Sequence, residues 1–232
     1  MKKVIPSILA VALIAISLLA VPVHKVEAQA GLVSSLYTRL EKNRQNLKSL
    51  SADINMQKYN SQTRDSDTYY GTVRYIPVGG KSAFVRLEWT KPQHEILTVA
   101  NGAYVLYRPR LGQAIVGTTS SVHSAQDNDV LALLNMSAAQ LRTRFSELQD
   151  VRDETLWGGV SATHFKATPK TAASYKYIEV WVDKEGMPVQ TKMVEKNDDS
   201  TTVRLTNVAR NQSIDKSVFE QKLDSNVKKV KG

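Results

Sequence analysis

The residue types that most often carry chemistry are sparse in this chain, and their spacing does not suit it. The sequence holds four histidines. His94, His123 and His164 stand far apart, and none has a second histidine or a spaced carboxylate that would complete a metal set. Each reads as an ordinary surface or rim residue. The chain contains no cysteine, which removes thiolate ligation, disulfides and cysteine lipidation together. No Gly-x-Ser-x-Gly elbow, phosphate loop or His-Glu-x-x-His motif occurs, and the Asp198-Asp199 pair falls in a turn where solvation accounts for it. The reading is therefore no enzyme, no metal and no cofactor, with function resting on apolar side chains.

Those side chains belong to strands. From Tyr69 to Gly117 the chain runs through short β-type segments in which Val73 and Tyr75 alternate with Thr72 and Arg74, and Val85, Leu87 and Trp89 with Phe84, Arg86 and Glu88. Ile96–Val99 and Tyr104–Tyr107 flank Asn101-Gly102, a strong two-residue hairpin signal. Ser51–Tyr59 alternates in the same way, with Asn60–Thr68 as a loop or a long hairpin connection and Pro77–Gly80 as a turn. Strands resume at Val151–Leu156, Val160–Ala167, Tyr175–Val182, Val189–Glu195 and Thr201–Val208. Ile178, Val180 and Val182 share a face with Lys176, while Tyr175, Tyr177 and Trp181 take the other. A short run, Val218–Leu223, and a basic tail end the chain. Three helical patterns interrupt this: an amphipathic one from Gly31 to Leu50, an apolar one after Asp129 as its N-cap, and one from Ser137 carrying Leu141, Phe145 and Leu148. About eleven antiparallel strands curl to bury one face. The expected fold is mainly β, a strongly curved incomplete antiparallel barrel covered by about three helices. Such a sheet either sequesters an apolar ligand or packs its own core; both readings stay open at this point.

Composition fits one medium domain, with 31 Lys and Arg against 22 Asp and Glu and 42% hydrophobic residues in 232. The cations are scattered singly along strands, apart from Lys228, Lys229 and Lys231, so most read as solvated surface. Lys2 and Lys3 precede an apolar run, Val4–Val21, followed by Ala-Gln-Ala at 28–30, the layout of a secretory signal. The expected division is a signal peptide over 1–30 and one domain over 31–232; a retained membrane anchor is the alternative.

The segments SLSADINMQ, GTVRYIP, FVRLEWTKP, NGAYVLYRPRLGQA, IEVWVDKEGMPVQTKMVE, TTVRLTNVARNQSID and VFEQKL, in that order, resemble the LolA family of periplasmic outer-membrane lipoprotein carriers. The resemblance covers nearly the whole mature chain. It implies a soluble periplasmic monomer with a lidded apolar cavity, which takes acylated lipoproteins or a related lipid from an inner-membrane ABC exporter and passes them to an outer-membrane receptor. No nucleic acid is implied. The same fold also occurs in periplasmic sensors that bind a membrane-embedded partner. On this basis the cavity wall is expected at Val73, Tyr75, Val85, Leu87, Trp89, Leu97, Val99, Ile178, Val180 and Val182, with lid contacts from Leu131, Leu134 and Leu141. The family's Arg-Pro pair, associated with holding the lid closed, is Ile76-Pro77 here, so Arg86 or Arg74 is the expected lid-contact cation.

Overall fold

The computed structural model describes residues 24–79, 82–119 and 125–232. The leading part comprises α1 (His24–Asn46), β1 (Leu50–Tyr59), β2 (Ser66–Gly79), β3 (Ser82–Lys91), β4 (Glu95–Ala100), β5 (Ala103–Arg108) and β6 (Gln113–Thr118). Two short helices follow, α2 (Ala125–Leu134) and α3 (Ala138–Arg144). The chain then forms β7 (Gln149–Leu156), β8 (Val160–Ala167), β9 (Tyr175–Asp183), β10 (Pro188–Glu195), β11 (Ser200–Arg210) and β12 (Lys228–Lys231).

All twelve strands lie in one sheet, in the order β12-β6-β5-β4-β3-β2-β1-β11-β10-β9-β8-β7. Consecutive antiparallel hairpins build each half, and the pairing of β1 with β11 joins them. β7 and β12 are the two edges, so the curved sheet is unclosed. Asn101 and Gly102 have φ of 51° and 77°, the double positive φ of a type I′ turn, as their dipeptide predicts.

Residue parity decides what each face does. Across the register Ala52–Val73–Leu87–Leu97–Leu106, one side chain per strand points to the concave face and all five are buried. The alternate residues face the convex side. There residues 211–227 cross β3 and β4 as a strap: Phe219 stacks on Phe84 at 5.7 Å between ring centroids and is 2% exposed.

Several expectations need correction. The first helix ends at Asn46 rather than Leu50, because Leu50 is already the first paired residue of β1. The loop after β1 is short: Arg64, at φ 62°, closes a turn on Asn60, and β2 is paired from Ser66. The short run at 218–223 opens in a 3-10 turn, Lys216–Phe219. The basic tail instead supplies a twelfth strand, parallel to β6 from Lys228 opposite Gln113 to Lys231 opposite Val116. His164 is 2% exposed, stacked on Trp181 at 4.7 Å, rather than at the surface. Residues 1–23 of the expected export signal, and His123, lie outside the described residues. No described helix is long and apolar enough to cross a membrane.

Candidate functional site

The concave face carries two apolar clusters. The larger gathers β1–β6, β10 and β11 around Val130, Leu133 and Leu134 of α2. The smaller packs Leu36 and Leu40 of α1 and Ala138 and Leu141 of α3 against Phe165, Val180 and Val182 of β8 and β9. Every wall residue expected from sequence lies on this face, but the set is divided: Val73 through Val99 belong to the first cluster and Ile178, Val180 and Val182 to the second. Val73, Leu87, Leu97, Val180 and Val182 have no exposed surface.

Among the described residues, three adjoining clefts lie beside the joint between α2 and α3. One, of about 420 Å³, is lined by Val85, Val99, Asn128, Leu131 and Asn135 among others. A second, of about 350 Å³, lies between the end of α1, β2 and the α2–α3 joint, with Arg44, Leu47, Tyr75, Leu134, Asn135, Met136 and Gln140 on its walls. The third, about 210 Å³ and the most apolar, is bounded by Leu133, Met136, Leu141, Tyr175, Ile178, Met193 and Val203, with Asp129 and Arg144. The first and second share Asn135 and Ser82, while the second and third share Met136 and Gln140. The same segment, the end of α2 and the start of α3, thus partitions the space under the lid.

Local sequence shapes that segment. Ser137 caps α3 by accepting from the Gln140 N–H at 3.1 Å, and the Gln140 side chain accepts from the Ser137 N–H at 3.1 Å, a complete capping box. α2 is tied to the wall where Tyr75 donates its hydroxyl hydrogen to Asn135 Oδ1 at 3.2 Å, and Asn135 Nδ2 donates to the Leu131 carbonyl at 2.9 Å. Tyr75 has its pKa raised by burial, against the opposing charge of Arg44.

Asp129 is not the N-cap its position ahead of an apolar run predicts. α2 begins four residues earlier, at Ala125, so the Asp129 carboxyl stands on the helix side and lines the apolar cleft. Burial raises its pKa from 3.8 to about 6; Lys58 acts in the lowering direction and Glu195 adds to the rise. It has no hydrogen bond or ion pair among the described residues.

Tyr175 is a second departure. It lines that cleft beside Ile178, because a bulge between the Val194 and Glu195 pairings shifts the parity of β9 at its start. Lys176, expected on the concave side, instead pairs with Asp198.

The lid-cation expectation is overturned. Arg74 and Arg86 face each other in the β2–β3 register, on the opposite side of those strands from Val73, Tyr75, Val85 and Leu87. Arg86 donates there to Glu88 at 3.2 Å, to the Val218 carbonyl at 3.4 Å and to Gln221 at 3.3 Å, so it holds the C-terminal strap. Ile76 lies opposite Phe84 on that convex side as well. Sequence reasoning also missed Arg44, Asn135 and Gln140. The Ser-x-x-Gln box at 137–140 was the one local signal that pointed to this joint.

An open, mainly antiparallel barrel with helices inside its concave face and clefts around a lid joint has the form of a binding protein. The sequence profile of the outer membrane lipoprotein carrier protein LolA family matches residues 45–222, and the chain belongs to that family. No curated protein sequence matches it significantly. Among solved structures, it is similar to an uncharacterised conserved protein from Thermus thermophilus, at TM-score 0.54 and 12% identity over 86% of this chain and 98% of that one. It is also similar to MucB in the Pseudomonas aeruginosa MucA/MucB complex, at TM-score 0.53 and 13% identity over 82% of this chain. It spans 61% of that longer chain. These likenesses concern the fold.

Proposed function

We propose that this protein is an exported carrier in which residues 1–30 direct export and residues 31–232 form the carrier domain, holding acyl chains of lipoproteins or of a related lipid in the periplasm. The observation that carries the reading is the partition of three adjacent clefts by one short segment, 134–140. Withdrawal of that segment would merge them along the wall from Val85 and Val99 past Tyr75 to Ile178. Each methylene buried there contributes about 0.8 kcal/mol, so release depends on lid movement rather than weak contacts. In this reading the cargo is loaded from an inner-membrane ABC exporter and delivered to an outer-membrane receptor, a route that membership of the carrier family supports.

The test is mass spectrometry of lipid extracted from the purified protein, joined to displacement of a fluorescent acyl probe from delipidated protein. Bound acyl species are expected, and Met193→Trp, which fills the apolar cleft, should weaken the probe by about tenfold or more. Neither bound lipid nor probe binding would overturn the proposal. The likeness to MucB, solved in complex with MucA, supports a second reading, a module that binds a partner protein; recovery of a membrane-anchored protein with no lipid would select it.

A further inference from the structure

The three clefts differ in charge. The cleft between α1, β2 and the α2–α3 joint has Arg44 as its one charged residue among the described lining, and no carboxylate. The apolar cleft carries both Asp129 and Arg144, and the cleft beside Val85 and Val99 has no charged residue among those described. Arg44 makes no hydrogen bond or ion pair among the described residues. Its charge reaches the cleft wall, since it acts on the Tyr75 hydroxyl.

Gln140 supplies the amide donor left over beside it: its Oε1 is taken by the Ser137 N–H, which leaves its Nε2 as a donor. Asn135 is engaged through both Oδ1, with Tyr75, and Nδ2, with the Leu131 carbonyl, and Asn43 Nδ2 contacts the Met187 sulfur. Leu47, Leu134, Met136 and Pro188 supply apolar wall beside this corner. At about 350 Å³, the cleft falls in the roughly 300–1,000 Å³ range of small-molecule sites.

We infer that this cleft is a head-group site for an anionic amphiphile, in which a carboxylate or phosphate monoester pairs with the Arg44 guanidinium and Gln140 Nε2 while its chain lies against Leu47, Leu134 and Met136. A guanidinium suits such an anion because its planar fork matches two oxygens at once. The inference rests on the carrier reading and adds to it the sign of the head group.

Delipidated protein titrated at neutral pH with dodecyl phosphate, dodecanol and inorganic phosphate, each displacing the same acyl probe, tests it. Dodecyl phosphate is expected to bind about tenfold or more tightly than dodecanol, and inorganic phosphate not to displace the probe. Arg44→Gln should erase that preference by weakening dodecyl phosphate far more than dodecanol; Arg44→Lys should keep part of it. Gln140→Glu, which places a carboxylate in the cleft, should reverse it. An undiminished preference in Arg44→Gln, or displacement by inorganic phosphate at the concentrations where dodecyl phosphate acts, overturns the head-group site. Equal binding of the two amphiphiles sinks this inference alone, whereas binding of neither sinks the carrier reading with it.

Discussion

Of the three helices on the concave face, α1 and α2 are attached differently. Over β7–β9, α1 is fixed by polar contacts that reach through its whole footprint. Arg39 donates to the Asp183 carbonyl at 3.1 Å and to Thr163 Oγ1 at 2.7 Å, and the Thr163 hydroxyl donates in turn to Asp153 Oδ1 at 2.6 Å. Asn43 adds a contact of 3.6 Å to the Met187 sulfur. Over the other half of the sheet α2 buries Val130, Leu133 and Leu134, but the described side-chain bond that ties it to the wall is Tyr75 to Asn135. The difference assigns roles: directional bonds at several points hold an element in one place, whereas an element held, among the described residues, by apolar burial and a single side-chain hydrogen bond is the one free to lift when another apolar surface takes its place.

The strongest way to break the comparison is to damage the fixed cover. Gly186, in the β9–β10 turn, has φ 87°, and a Cβ there would stand 2.0 Å from the Arg39 carbonyl oxygen of α1. Gly186→Ala therefore combines a left-handed backbone, unfavourable by about 1–2 kcal/mol for an L-residue, with a clash against backbone that cannot rotate away. A loss of more than about 2 kcal/mol in global stability is expected, read by chemical denaturation. A change below about 0.5 kcal/mol would mean that α1 is as loosely held as α2.

A smaller, local effect is expected from the lid's own carboxyl. Asp129 has its folded pKa raised to about 6 from 3.8 by burial in the apolar cleft. The docked lid thus binds more protons than the lifted one between those values. Docking is most stable below the lower value and is weakened as pH rises through the upper. Allowing for partial exposure, the change is on the order of 2 kcal/mol. Amide exchange of α2 should accelerate from acid to neutral pH beyond its intrinsic rate, while Asp129→Asn should remove that extra acceleration. A variant that keeps the wild-type profile would show that the carboxyl does not govern docking.

Much of this contrast was legible in the residues, and the omissions have physical causes. Strict alternation placed Val73, Val85, Leu87 and Leu97 on one face, and the structure agrees. The same alternation already excluded Arg74 and Arg86 from the lid, since each sits between two concave residues of its strand; a family expectation overrode a parity rule that was correct. Lys228–Lys231 gave no strand signal because it carries three lysines in four residues and pairs along one side only. Tyr175 and Lys176 exchanged faces through a bulge, an added residue that no periodicity announces. Asp129 misled because an Asp ahead of an apolar run is a sound cap signal, and only the earlier helix start places it in a cleft. The bond from Tyr75 to Asn135 joins residues 60 apart in sequence, so local pattern carries no trace of it.

That bond supplies the finest test of the comparison. Tyr75→Phe keeps the ring against the wall, where it is 6% exposed, and removes only the hydroxyl. Asn135 Oδ1 lines two clefts and so has solvent to replace the lost donor, which keeps the cost near the lower end for a hydrogen bond, about 1 kcal/mol. If the lid is the moving cover, this cost falls on lid opening. Exchange of α2 amides should rise about fivefold, since 1.4 kcal/mol corresponds to a factor of ten, while α1 and the central strands keep their protection and the denaturation midpoint stays close to wild type. An equal rise in α1 and α2 would mean that the two covers open together, and the division between a fixed and a moving half would have to be abandoned.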